Sequence, residues 1–162
     1  MADTKKPEQA VFELLREKGL SLAAAESCTG GLIAKRITDI PGASEVFFGG
    51  VVSYTNAVKE ALLGVSRVSL DEFGAVSERV AREMAEGVRR ALKTDIGVST
   101  TGLAGPGGDE RGNAVGTVYA ALSSAGGTVC RRLSCGTERS EIRNAAADAV
   151  FAMIEEHILT AR

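Results

Sequence analysis

Histidine occurs once in the 162 residues, at His157, and tryptophan does not occur at all. A hydrolase built on a Ser–His or Cys–His pair would have to recruit that one residue from a helix near the C-terminus. Any catalytic base is therefore expected to be something other than histidine. Cysteine is scarce too. Cys28, Cys130 and Cys135 are odd in number and spaced neither as CxxC nor with histidine. That spacing argues against a disulfide framework and a structural zinc site, and it points to a reduced, cytoplasmic protein. A basic excess is also missing. The 19 Lys and Arg against 21 Asp and Glu leave a net charge of −2, which speaks against nucleic acid or an anionic membrane as a partner. No run of about 18 apolar residues is present to span a bilayer, and Met1–Pro7 lacks the apolar stretch of a secretory signal. Aromatic residues make up only 4%, so the core has to be built from small and aliphatic side chains that let backbones approach closely.

What is present is 44% apolar and 25% charged, a balance that supports an ordered globular chain. The length suits a single domain over residues 1–162. Pro7 opens a helix with Val11, Leu14 and Leu15 on one face, closed by Gly19. Ser21–Ala25 reads as a short strand of small residues. It runs through Glu26–Gly31 into a helix carrying Ile33, Ile37 and Ile40, which Pro41-Gly42 stops. Gly49–Tyr54 reads as a strand, followed by a helix capped at Asn56 and ended by Gly64. Ser77 caps a longer helix with Val80, Met84, Val88 and Leu92 in register. Asp95–Thr100 is a strand entering a glycine-rich loop. Val115–Leu122 and Thr128–Cys135 form a hairpin, and a last helix begins near Glu138. Helices alternating with strands predict a three-layer α/β/α domain with a mixed, mostly parallel sheet.

Ligands in such sheets sit beyond the carboxyl ends of the strands. Two loops have that position and an unusual composition. Glu26–Gly31 places Ser27, Cys28 and Thr29 at a strand-to-helix turn. Its free N–H groups could meet an anion or a developing oxyanion, although helix capping alone accounts equally for Ser27 or Thr29. Thr101–Gly112 lacks the lysine of a P-loop and the third glycine of GxGxxG. It remains a glycine-rich loop compatible with a phosphate nest or with a plain connection. With Asn56 as N-cap, Lys59 falls at the third helical position. There the positive end of the helix lowers an ammonium pKa, as a lysine base requires. An exposed surface lysine is the competing reading. Arg139 and Arg143 lie four apart on one face of the last helix, suited to a phosphate or to surface acids.

Six motifs occur in order: Ala25-Glu-Ser-Cys-Thr-Gly-Gly31, Pro41-Gly-Ala-Ser44, Val52-Ser-Tyr-Thr-Asn56 with Lys59, Gly74-Ala-Val-Ser77, Thr101-Gly-Leu-Ala-Gly-Pro106 and Val115-Gly-Thr-Val118. Over residues 8–158 the chain resembles the C-terminal domain of the competence/damage-inducible CinA proteins, the nicotinamide-nucleotide amidase family. The resemblance implies hydrolysis of nicotinamide mononucleotide to nicotinate mononucleotide and ammonia in pyridine-nucleotide salvage, without metal or cofactor, in a homodimer or higher assembly. It places the nucleophile at Ser27 and its catalytic partners at Tyr54 and Lys59, with Cys28 as the rival nucleophile. Oxyanion contacts are expected around Thr29, Gly30 and Gly31. Thr101, Gly102, Gly105, Arg139 and Arg143 are the expected phosphate and substrate contacts. Where the family pattern before the last helix is Gly-Asp-Arg, this chain reads Gly136-Thr-Glu-Arg139, one residue longer. Larger relatives carry an additional N-terminal domain associated with pyrophosphatase activity, for which this chain is expected to have no room. The competing class is a non-catalytic nucleotide-binding or interaction domain linked to competence and DNA damage.

Overall fold

A computed structural model describes residues 4–161, so Met1–Asp3 and Arg162, at the ends of the expected domain, lie outside it. The chain runs α1 (Pro7–Lys18), β1 (Leu22–Glu26), α2 (Leu32–Thr38), a 3₁₀ turn (Ala43–Glu45) and β2 (Phe47–Val52). It continues through α3 (Asn56–Leu63), α4 (Arg67–Phe73), α5 (Glu78–Leu92), β3 (Ile96–Gly102), β4 (Thr117–Ser124), β5 (Gly127–Ser134) and α6 (Arg139–Thr160). The strands order as β2-β1-β3-β4-β5. The β1–β2 and β1–β3 pairs are parallel, while β3–β4 and β4–β5 are antiparallel. Four of the five strands therefore point the same way, and the mixed sheet expected from the hairpin is present.

The strand β1, Leu-Ala-Ala-Ala-Glu, is buried at every position because helices cover both faces of the sheet. Leu22 and Ala24 join Val11, Leu15, Ile33, Ile37, Phe151 and Ile154 of α1, α2 and α6 on one side. Ala23 and Ala25, pointing the other way, meet Leu63, Leu70, Val80, Met84 and Val88 of α3, α4 and α5. Val80, Met84 and Val88 are fully buried, and each contributes roughly 1.5–3 kcal/mol. Between them Gly87 lets α5 come against the end of α3. A Cβ there would stand 1.9 Å from the Leu63 carbonyl oxygen, so any larger residue would push α3 outward.

Several boundaries differ from the sequence reading. The N-cap of α3 is Thr55, whose hydroxyl accepts from Val58 N at 3.4 Å, so Lys59 is the fourth residue of the helix rather than the third. Strand β2 ends at Val52, which leaves Tyr54 in the connection to α3. The hairpin strands are Thr117–Ser124 and Gly127–Ser134, because Ser124 pairs with Gly127 and shortens the turn to two residues. Helix α2 ends at Thr38, whose hydroxyl bonds back to the carbonyls of Ala34 and Lys35, so Ile40 lies beyond it. Among the described residues no helix is long and apolar enough to cross a membrane.

Candidate active site

The parallel strands β1, β2 and β3 all end on one side of the sheet, at Glu26, Val52 and Gly102. A cleft of about 410 Å³ opens there. It is lined by Ser27, Cys28, Tyr54, Asn56 and Lys59, by the segments Ala75–Val76 and Thr101–Gly108, and by Arg139. This is the position at which open α/β sheets hold ligands.

Lys59 is 2% exposed although it belongs to a short helix near the surface. Its Nζ lies 3.0 Å from Ser27 Oγ and donates to the main-chain oxygen of Ser53 at 2.8 Å. Burial disfavours the ammonium and pushes Lys59 down to about 8. In a neutral amine, one N–H directed at the Ser53 carbonyl leaves the lone pair free to face Ser27 Oγ. That is the geometry of a general base beside a nucleophile. The Ser53 anchor is itself fixed, since Ser53 N donates to the Glu26 carbonyl at 2.7 Å. Sequence spacing gives no sign of this main-chain acceptor.

Ser27 sits at the head of a tight turn. Its N–H donates to Thr100 O at 3.0 Å, and its carbonyl accepts from Gly30 N at 3.0 Å. Gly30 and Gly31 have φ of 59° and 101°, a left-handed path that other residues adopt at a cost. The main-chain N–H groups of Cys28 and Thr29, the two residues that follow Ser27, make no backbone hydrogen bond among the described residues. Cys28 shares the cleft but is 4% exposed, and burial pushes its thiol up to about 11. It is therefore a neutral thiol at physiological pH and a poor nucleophile.

The expected substrate contacts divide into two groups. Thr101, Gly102, Gly105 and Arg139 line the cleft. Thr29, Gly30, Gly31 and Arg143 do not line it. Thr29 is fully buried, its hydroxyl donating to Glu26 Oε1 at 2.7 Å, and Arg143 Nη2 donates to the Thr29 carbonyl at 2.9 Å. The first turn of α2 is also taken: Ile33 N and Ala34 N donate to the Glu26 carboxylate at 2.8 and 3.1 Å. An incoming anion would find these two N–H groups already occupied. Tyr54 is 57% exposed at the rim, and its hydroxyl accepts from Arg139 Nη2 rather than touching Ser27 or Lys59. Asn56, Ala75 and Val76 also line the cleft; the motifs Val52-Ser-Tyr-Thr-Asn56 and Gly74-Ala-Val-Ser77 contain them without marking them as site residues. Among the described residues no group of three or more His, Cys, Asp and Glu is placed to hold a metal ion.

Fold and cleft together define a three-layer α/β domain with a buried serine–lysine pair at the carboxyl end of its sheet. The chain belongs to the CinA family: the model of the CinA C-terminal domain matches residues 4–158. It is 49% identical over 154 residues to a CinA-like protein of Geobacter sulfurreducens, covering 95% of this chain and 37% of that one. A CinA-like protein of Myxococcus xanthus is 48% identical over 160 residues, covering 98% of this chain and 38% of the relative. The chain thus spans well under half the length of these relatives. The crystal structure of a competence/damage inducible protein from Agrobacterium tumefaciens superposes with a TM-score of 0.85 at 36% identity, covering 95% of this chain and 97% of that one.

Proposed function

We propose that the domain is an amidohydrolase that converts nicotinamide mononucleotide to nicotinate mononucleotide and ammonia. The observation that carries the chemistry is Lys59 Nζ at 3.0 Å from Ser27 Oγ, buried and pushed down to about 8. The substrate comes from the family resemblance. A cleft with apolar walls at Ala75, Val76, Leu103 and Ala104 and a guanidinium at its mouth suits a flat ring bearing a distant phosphate.

In this reading neutral Lys59 takes the Ser27 proton as Oγ attacks the carboxamide carbon. The oxyanion is met by the N–H groups of Cys28 and Thr29. As the tetrahedral intermediate collapses, the C–N bond breaks and the Lys59 ammonium gives its proton to the leaving nitrogen, which departs as ammonia. Lys59, neutral again, then activates a water that cleaves the acyl-serine ester, leaving the carboxylate and a restored Ser27. Arg139 holds the phosphate, and no metal enters the cycle.

The test is ammonia release from nicotinamide mononucleotide and from free nicotinamide, with and without EDTA. Turnover of the mononucleotide that survives EDTA, with much slower turnover of nicotinamide, is the expected result. Binding without ammonia release would instead make the chain a nucleotide-binding module.

A further inference from the structure

Glu26 is the most deeply buried charged side chain among the described residues. It is 1% exposed, closes a strand of small apolar residues, immediately precedes Ser27, and does not line the cleft. A carboxylate is costly to bury and persists only where its oxygens are hydrogen-bonded. Here Oε1 accepts from the Thr29 hydroxyl at 2.7 Å and from Ile33 N at 2.8 Å, while Oε2 accepts from Ala34 N at 3.1 Å.

The direction of these bonds has a consequence. A carboxylate only accepts, so the Thr29 hydroxyl must donate to it. The 2.8 Å contact between the Thr29 and Thr100 hydroxyls is then donated by Thr100. Thr100 also accepts the Ser27 N–H through its main-chain oxygen. The turn between Ser27 and α2 is thereby clamped from the strand behind it and from the helix ahead of it, and the carboxylate sets the polarity of the whole chain. The Glu26 main chain serves the other partner, since its carbonyl accepts from both Ser53 N and Ser53 Oγ, and Ser53 O anchors Lys59. Capping alone would not require this arrangement: the N-cap residue of α2 is Gly31, which has no side chain to offer, and the carboxylate arrives from the strand.

We propose that Glu26 is a positioning residue, whose buried carboxylate holds the Ser27 turn and the Cys28 and Thr29 N–H groups in their reactive arrangement without touching substrate. The proposal rests on the reading of Ser27 as nucleophile. Its main variant is Glu26→Gln, which keeps shape and two acceptor bonds but turns an NH₂ toward the Ala34 N–H. Thr29→Val is the second variant, which removes the hydroxyl and leaves the carboxylate. Each is compared with wild type and Ser27→Ala by ammonia release, by thermal melting and by hydrogen exchange of the Ile33 and Ala34 amides.

The expected result for Glu26→Gln is a kcat at least tenfold lower with KM changed less than threefold, an unchanged midpoint in the pH–rate profile, and faster exchange at Ile33 and Ala34. Thr29→Val should lower kcat in the same way. Wild-type kcat in a folded Glu26→Gln protein, even one with a lowered melting temperature, would overturn the proposal and leave Glu26 a structural cap. Should Glu26→Gln fail to fold, wild-type kcat in Thr29→Val overturns it equally. If Ser27→Ala keeps wild-type turnover, the reading of Ser27 itself fails, and exchange at Ile33 and Ala34 still decides whether Glu26 holds the turn.

Discussion

The Tyr54 hydroxyl accepts a 2.8 Å hydrogen bond from Arg139 Nη2, across 85 positions of sequence. The same guanidinium donates to the Gly105 carbonyl at 2.8 Å through Nη1. One arginine at the start of α6 thus ties the β2–α3 connection to the glycine-rich loop. The serine and lysine lie beneath this bridge and share a hydrogen bond that does not involve the tyrosine. The geometry thereby predicts a positioning role for Tyr54 beside Arg139.

That geometry makes Tyr54→Phe and Arg139→Gln similar in kind. Both are expected to raise KM for nicotinamide mononucleotide, by roughly three- to thirtyfold, with kcat nearly kept. Arg139→Gln should be the larger, since it also loses the Gly105 bond, and the two effects should be less than additive, because the hydrogen bond of about 1 kcal/mol that they share is lost in either case. Steady-state kinetics on the two single variants and the double variant check this. A hundredfold loss of kcat in Tyr54→Phe with KM unchanged would put the phenol in the proton path instead.

The pH dependence follows from Lys59. Only the neutral amine can accept the Ser27 proton, so the rate should be low in acid, rise tenfold per pH unit, and level off above about 8. Lys59→Arg keeps a charge but cannot lose its proton in this range, and Lys59→Ala has no base. Both should fall by at least a thousandfold, whereas His157→Ala should keep the wild-type profile. A pH–rate series on the four proteins is the measurement, and an active Lys59→Arg enzyme would show that this residue supplies only charge.

Ser27 and Cys28 are adjacent nucleophiles in one cleft, and their environments separate them. Ser27 has the amine within reach, while burial holds the Cys28 thiol at about 11. Ser27→Ala should abolish turnover and retain substrate binding. Cys28→Ala should stay within a few-fold of wild type, and iodoacetamide should inactivate the enzyme slowly. Fast thiol-dependent inactivation together with an active Ser27→Ala protein would exchange the two assignments.

Much of the fold is legible in the chain itself. The single histidine pointed to a base of another type, and the Ser27 and Lys59 motifs lie where strands run into helices. The alternation of helix and strand patterns was enough for a three-layer domain, because β-strands as apolar as Leu22–Ala25 need helices on both sides. The remainder depends on contacts distant in sequence. Glu26 reads as an ordinary acid until Ile33, Ala34 and Thr29 fold back on it. The one hint is that a negative charge is favoured near a helix start. Arg143 shares a helix face with Arg139, yet it does not line the cleft, and its Nη2 donates to the Thr29 carbonyl 114 positions away. Helix α4 has no apolar stripe to mark it in the sequence, since Leu70 is its one buried apolar side chain while Val68 and Phe73 are exposed. The cap of α3 slipped by one residue because Thr55 and Asn56 are both good caps and only the hydroxyl of Thr55 faces the Val58 N–H.

The buried lysine also has a thermodynamic signature. In the unfolded chain Lys59 titrates near 10.5, and in the folded protein near 8. Below pH 8 both states hold the proton, and folding bears the full penalty of burying an ammonium. Between about 8 and 10.5 the unfolded chain still binds a proton that the native state has released, so the stability of the wild-type protein rises with pH there. Above 10.5 both are neutral and the penalty is gone. At about 1.4 kcal/mol per pH unit, the stability recovered across this window is about 3 kcal/mol. Lys59→Met fills the same space without a titrating group, so it should be inactive yet gain on the wild type in acid, less about 1–3 kcal/mol for the Ser53 carbonyl left without its donor. The decisive quantity is the slope rather than the offset. Urea denaturation of both proteins at several pH values from 6.5 to 10.5 should show the difference between variant and wild type moving by about 3 kcal/mol in favour of the wild type as pH rises. Parallel stability curves would mean that Lys59 is not held as a depressed, buried amine, and the proposed base would lose its physical footing.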